Sequence, residues 1–203
     1  NKEDEMINYL GDLKKGKNLL TEIKNKHESM LMDISVFNLE KGKSEVFFEE
    51  NKETALLLLN GKVEILWDGQ SAVLERDNVF DESPTCLHVS KGVKIELKVL
   101  EDSEVLIQKT ENNNKFDSKL YLKEDCTSEI FGDGVWNDTA RRVVRTVFDY
   151  KNAPYSNMVM GEVINYPGKW SSYPPHHHPQ PEVYYYKFNK PQGFGLCLVG
   201  EEA

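Results

Sequence analysis

Ala55-Leu-Leu-Leu-Leu-Asn60-Gly61-Lys62-Val-Glu-Ile-Leu-Trp67 is the stretch that decides the fold class. Five apolar residues in a row are too few for a membrane span and short enough to be a buried strand. Asn60-Gly61 is the strongest short-range hairpin signal, and the alternation Val63, Ile65, Trp67 beyond it reads as a second strand. Runs of the same length recur on both sides: Leu31 to Phe37, Glu45 to Phe48, Ser71 to Phe80, Cys86 to Val89, Val93 to Val99 and Glu104 to Gln108. Gly, Pro, Asn and Asp punctuate them. Short strands at this rhythm, with no long amphipathic helix, predict an all-β sandwich or barrel and not βαβ units.

The rhythm breaks once, at Glu111-Asn-Asn-Asn-Lys-Phe-Asp-Ser, and then resumes with Arg142 to Phe148, Met158 to Tyr166 and Gly193 to Val199. Two β-rich blocks predict an internally duplicated fold. The expected division is an N-terminal arm over 1–28, a first barrel over 29–112, a linker over 113–125 and a second barrel over 126–203. A second barrel as large as the first needs roughly five more strands, on the order of 60 residues. It is therefore expected to be incomplete at the C-terminal side.

Composition narrows the function. The chain has 203 residues and a formal charge of −9, which argues against a general nucleic-acid surface but not against a small anionic substrate held by one or two arginines. Neither a membrane span nor a leader sequence is expected. The three cysteines, Cys86, Cys126 and Cys197, form no CxxC pair, so a reduced, cytoplasmic setting is the expectation.

The chemistry concentrates in Gly168-Lys-Trp-Ser-Ser-Tyr-Pro-Pro-His-His-His-Pro-Gln-Pro-Glu-Val-Tyr-Tyr-Tyr186. His176 and His178 stand one residue apart and are expected on the same side of a β-strand, and Glu182 on the next extended stretch can close the same site. Two imidazole nitrogens and one carboxylate suit a borderline divalent ion: zinc first, with manganese, iron or nickel as alternatives. His177, between them, is turned away. Tyr184 and Tyr186 share the parity of Glu182, so both are candidates for bonding substrate or moving a proton, or for ordinary core. Trp170 and Tyr173 are candidate pocket walls. Arg141, Arg142 and Arg145 are the one arginine cluster, and Arg142 is the candidate partner for a substrate carboxylate. Arg142 and Arg145 differ in parity and should not face one pocket. Asp133 and Asp138 fit no calcium-loop spacing and read as a turn. His88 stands alone in the first block and reads as packed or exposed, not as a ligand.

These residues resemble the cupin metal motif, G(X)5HXH(X)3-4E(X)6G, with wider spacing at both glycines: seven residues separate Gly168 from His176, and ten separate Glu182 from Gly193. Trp170-Ser-Ser-Tyr-Pro-Pro-His-His-His, Glu182-Val-Tyr-Tyr-Tyr and Pro191-Gln-Gly-Phe-Gly together resemble the 5-deoxy-glucuronate isomerases of myo-inositol catabolism, which are related to the 5-keto-4-deoxyuronate isomerases. Ala140-Arg-Arg-Val-Val-Arg, Gly161-Glu and Arg76 to Thr85 extend the likeness. The resemblance implies two tandem cupin-type β-barrels, the first metal-free and the second holding the ion. It implies a fourth ligand, a later histidine, that has no counterpart in this sequence. It also implies an aldose–ketose isomerase acting on a sugar acid, working as a homo-oligomer without nucleic acid or membrane. A 5-keto-4-deoxyuronate isomerase, an iron-dependent cupin dioxygenase and a non-catalytic sugar-binding bicupin are the alternatives.

Overall fold

The computed structural model describes residues 11–198 and Gly200; residues 1–10, the outer part of the expected arm, lie outside the described residues, as do 199 and 201–203. Among the described residues there are eleven strands: β1 (Gly16–Thr21), β2 (Asp33–Leu39), β3 (Ser44–Phe47), β4 (Lys52–Trp67), β5 (Gln70–Arg76), β6 (Cys86–Val89), β7 (Ile95–Glu111), β8 (Lys119–Tyr121), β9 (Thr127–Phe131), β10 (Arg142–Phe148) and β11 (Met160–Asn165). Short 3-10 turns are the only helical elements among the described residues. The all-β expectation holds.

The first eight strands form one antiparallel sheet in the order β1-β2-β7-β4-β6-β8, with β3 added to β7 and β5 to β4. The key to its shape is the length of β4 and β7, 16 and 17 residues, each of which bends and serves two leaves. Their bent halves fold the sheet over on itself. Between the leaves lies a core of Phe37, Leu39, Leu56, Leu58, Leu87, Val105 and Ile107 from one side, and Phe47, Val63, Ile65, Trp67, Leu74, Ile95, Leu97 and Val99 from the other. Among the described residues the ladders run in open paths.

Asn60-Gly61 is not the expected hairpin. β4 passes straight through it, paired with β7 on both sides, and the register shifts at Leu58/Asn60, Asn60/Lys62 and Lys62/Val63 make it a bulged bend. Gly61 has φ +100°, and a Cβ there would collide with Ser103 Oγ and the Asp102 carbonyl. Glycine is used for close backbone approach at a strand bend, not for a turn. The true hairpin is at Asp68-Gly69, where φ is +47° and +72°, and it joins β4 to β5 with Trp67 opposite Gln70. Positive φ at both central residues is what a two-residue hairpin turn demands.

The apolar run is explained by two-sided burial. Leu56 and Leu58 point into the inter-leaf core, whereas Ala55, Leu57 and Leu59 belong to a second cluster with Val147, Phe148, Ala153, Met158 and Met160. Each buried leucine contributes about 1.5–3 kcal/mol relative to exposure. That second cluster joins the first sheet to a three-stranded sheet, β11-β10-β9, built from the second block. Two segments read as an arm and a linker also supply strands to the first sheet: β1 pairs with β2, and β8 pairs with β6.

Candidate active site

Residues 166–198 follow β11 and lie outside every strand among the described residues. His176 and His178 are therefore not on a laddered strand. From Pro181 to Phe188 the chain nevertheless alternates strictly: Glu182, Tyr184, Tyr186 and Phe188 are exposed, and Val183, Tyr185 and Lys187 are half-buried. Val183 and Tyr185 pack on the cluster between the sheets, and Lys187 pairs with Glu104 of β7. Burial pushes the Tyr185 phenol up to about 12. One side of this extended segment is thus anchored, which leaves Glu182, Tyr184 and Tyr186 together on the other.

On that free side His178 Nε2 lies 3.0 Å from Glu182 Oε1, and Tyr184 donates to Glu182 Oε2 at 3.0 Å. Burial raises the Tyr184 phenol above its ordinary range, and Ser172 lies 3.5 Å from its hydroxyl. Tyr186 is raised likewise by burial, its ring 6.3 Å from that of Tyr184. His176 donates from Nδ1 to the Pro174 carbonyl at 2.9 Å, which fixes its tautomer and leaves Nε2 bearing the lone pair. The His176 and His178 rings stand 6.3 Å apart at 45°.

The donor set fits a divalent ion in kind. Neighbouring ligands of tetrahedral zinc sit roughly 3.3 Å apart, given zinc–nitrogen bonds near 2.0–2.1 Å, so His178 and Glu182 already stand at ligand separation. The third member is not in place, and among the described residues no three His, Cys, Asp or Glu side chains converge tightly enough to hold an ion. Binding requires the proton between His178 and Glu182 to leave, because a ligating imidazole must offer a lone pair.

The other candidates separate. Trp170 is part-exposed and donates its backbone N–H to Thr139, while Tyr173 sets its ring edge-on against Trp136 at 5.2 Å. The arginines divide as their parity requires. Arg145 is buried against the first sheet, bonding the carbonyls of Val79, Phe80 and Glu82. Arg142 lies on the opposite face of β10, bonds only the nearby Ala140 carbonyl and stands 5.6 Å from the Phe131 ring, with no carboxylate partner among the described residues. Arg141 pairs with Asp133 at 2.8 Å, and Asp138 accepts from the Gly134 N–H. Both aspartates serve the turn.

Two polar constellations escape sequence reasoning. Arg76 is wholly buried and makes a bidentate pair with Glu162 of β11, 2.8 Å at each oxygen, while also bonding the Leu58 and Glu82 carbonyls. His88, read as packed or exposed and not as a ligand, is stacked on Phe148 at 4.2 Å and bonded to Glu53 at 2.9 Å, with both side chains fully buried. A lone histidine in an apolar strand was the only signal available. Its acid comes from 35 residues upstream.

Comparison with known proteins fits this architecture. The KduI/IolB family model matches residues 8–203. The chain belongs to the KduI/IolB family. It is 25% identical over 198 residues to the 5-deoxy-glucuronate isomerase of Halalkalibacterium halodurans, covering 90% of this chain and 71% of that protein. It is 26% identical over 196 residues to the protein of the same name from Bacillus licheniformis, again covering 90% and 71%. These relatives place the KduI/IolB chain among isomerase enzymes. The crystal structure of an IolB-like protein from Salmonella typhimurium superposes with TM-score 0.72 at 16% identity, over 80% of this chain and 60% of that one. That likeness establishes a shared fold.

Proposed function

We propose that this KduI/IolB chain is a metal-dependent sugar-acid isomerase converting 5-deoxy-glucuronate to 2-deoxy-5-keto-gluconate in inositol breakdown. The second block is read as a cupin-type barrel holding the reaction centre and the first as its metal-free mate. The observation that carries the reading is the grouping on one free side of residues 176–186: His178 against Glu182, and Tyr184 on the other oxygen of the same carboxylate.

Aldose–ketose isomerisation moves a proton between neighbouring carbons while negative charge grows on the oxygens. A divalent ion, zinc first with manganese, iron or nickel as alternatives, supplies Lewis-acid polarisation of those oxygens. His176 through Nε2, His178 and Glu182 are the side chains that hold it. Glu182 is thereby engaged and is not the base. Tyr184 keeps its phenolic proton on Glu182 and can hand it to a substrate oxygen; Tyr186, on the same side, bonds a hydroxyl. Arg142, whose guanidinium has no carboxylate partner among the described residues, meets the sugar-acid carboxylate. Trp170 and Tyr173 wall the approach.

The reading favours a small sugar acid as substrate, a homo-oligomeric state and a cytoplasmic setting. Three free cysteines are compatible with it, and no helix among the described residues is long and apolar enough to cross a membrane. The deciding experiment is anaerobic conversion of 5-deoxy-glucuronate followed by proton NMR in water and deuterium oxide. Production of the ketose without oxygen supports the proposal. Product formed only with oxygen uptake would replace it with dioxygenase chemistry.

A further inference from the structure

The face of the first sheet that meets the second block carries Ala55, His88 and Lys119 along one register line, and Leu57, Cys86 and Tyr121 along the next. β8 is the edge of that sheet. Beyond it, residues 115–119 and Tyr155 border a hollow of about 560 Å³, wide open to solvent and lined by Lys115, Phe116, Asp117, Ser118, Lys119 and Tyr155. None of these residues belongs to the 166–198 segment.

The wall of the cavity is aromatic. Phe116 and Tyr155 stack at 4.5 Å, and behind them His88 lies 4.8 Å from Phe116 and 6.2 Å from Tyr155. His88 Nδ1 is buried and has no hydrogen-bond partner among the described residues. Two lysines stand on the rim. Lys119 Nζ is held over the Tyr121 ring at 4.4 Å, and neither Lys119 nor Lys115 has a carboxylate partner among the described residues. A second hollow of about 320 Å³, on the other side of residues 115–117, adds Lys91. In the larger hollow Lys115 and Lys119 stand beside Asp117, and Asp68 accepts from the lining Ser118 hydroxyl at 2.6 Å, so the two ammonium groups are the points that can meet an anion.

Both blocks contribute to the recess, and the join is firm. Asn112 and Asn114 donate to the Tyr155 carbonyl at 2.8 and 3.3 Å, and Glu53 accepts from the Asn157 N–H at 2.6 Å and from Ser156 at 3.2 Å. A rigid aromatic wall takes the apolar face of a ring without ordering cost, and flexible ammonium groups act as point charges for an anionic head. The cavity volume lies within the range of small-molecule sites.

We propose that this cleft between the two blocks is a second ligand site, separate from residues 176–186, for a monosaccharide-sized ring bearing one anionic head. The ring lies on Phe116 and Tyr155, and the head is met by Lys115 and Lys119. Because the ligand touches both blocks, it stabilises their junction and raises the melting temperature in proportion to occupancy.

The test is isothermal calorimetry with four probes: glucose 6-phosphate, glucuronate, glucose and inorganic phosphate. Saturable binding of glucose 6-phosphate or glucuronate at one per chain is expected, and the stronger of the two identifies the head as phosphate or carboxylate. Glucose and phosphate alone should bind at least tenfold more weakly. Lys115→Met with Lys119→Met, both on the surface and outside the core, should weaken binding at least tenfold with an unchanged melting temperature of the free protein. Phe116→Ala should weaken it about fivefold, and His178→Ala should leave it unchanged. No binding, equal binding of inorganic phosphate, indifference to the lysine pair, or loss in His178→Ala would each overturn the proposal. The last would assign the ligand to the metal motif instead.

Discussion

Arg76 and Glu162, 86 residues apart, form a bidentate ion pair in which the guanidinium is completely buried and the carboxylate nearly so. Arg145 adds a third charge 3.6 Å from the same carboxylate. This triad is the polar bolt between the two sheets, beside the apolar cluster that provides most of the adhesion. It also fixes β11, from which the chain runs directly into the histidine segment.

Removing one partner of a buried pair strands the other, which typically costs about 3–5 kcal/mol. Arg76→Met should lose about 3 kcal/mol of stability, near the lower end because Arg145 remains beside Glu162, read from the urea midpoint. Arg76→Met with Glu162→Leu should recover much of the loss. A single variant as stable as the parent contradicts the bolt.

Gly61→Ala should be costly although the residue is at the surface-facing bend of a strand. The left-handed φ and the collision with Ser103 and Asp102 act together, so a loss of about 2 kcal/mol or more is expected. Gly69→Ala in the hairpin has open space around it and should lose about 1 kcal/mol. Equal losses at the two sites would contradict the bulged bend.

Asp33 tests the acid side. Burial opposes its ionisation, but the Lys52 ammonium, the Ile23 N–H and the Lys109 charge outweigh it and hold the carboxyl below its ordinary range. A depressed folded pKa gives stability that is present above the unfolded value, near 3.9, and is lost as pH falls through the folded one. Asp33→Asn should therefore be less stable than the parent at pH 6, with the gap closing below about pH 4. A gap that widens on acidification contradicts the assignment.

Much of this was legible in the sequence because it depends on local period. The side shared by Glu182, Tyr184 and Tyr186 follows from alternation alone, as does the separation of Arg142 from Arg145, and both are found in the structure. Asn60-Gly61 misleads because the same dipeptide serves a hairpin or a bulge, and only the pairing of β4 with β7 on both sides distinguishes them. Arg76–Glu162 and Glu53–His88 were illegible for a different reason: each joins residues brought together by tertiary folding, and no spacing rule spans 86 or 35 residues.

Glu53 accepts from His88, Asn157 and Ser156 in a fully buried setting. Glu53→Ala leaves His88 and the Asn157 N–H without their acceptor, while Ser156 keeps the Met158 carbonyl, and should cost about 3 kcal/mol. Glu53→Gln, which keeps one acceptor oxygen, should cost less. Neither change, nor His88→Ala, should alter metal content in the folded protein, measured by plasma mass spectrometry. An ion lost with His88 would place the metal in the first block.

The account stands on the link between the histidine segment and turnover. Metal content and conversion of 5-deoxy-glucuronate should be measured on the same preparations of the parent protein and of His178→Ala, with circular dichroism confirming that both are folded. The parent should hold about one divalent ion per chain and form 2-deoxy-5-keto-gluconate, and His178→Ala should lose the ion and the activity together. Full activity in a folded, metal-free His178→Ala protein would contradict the account.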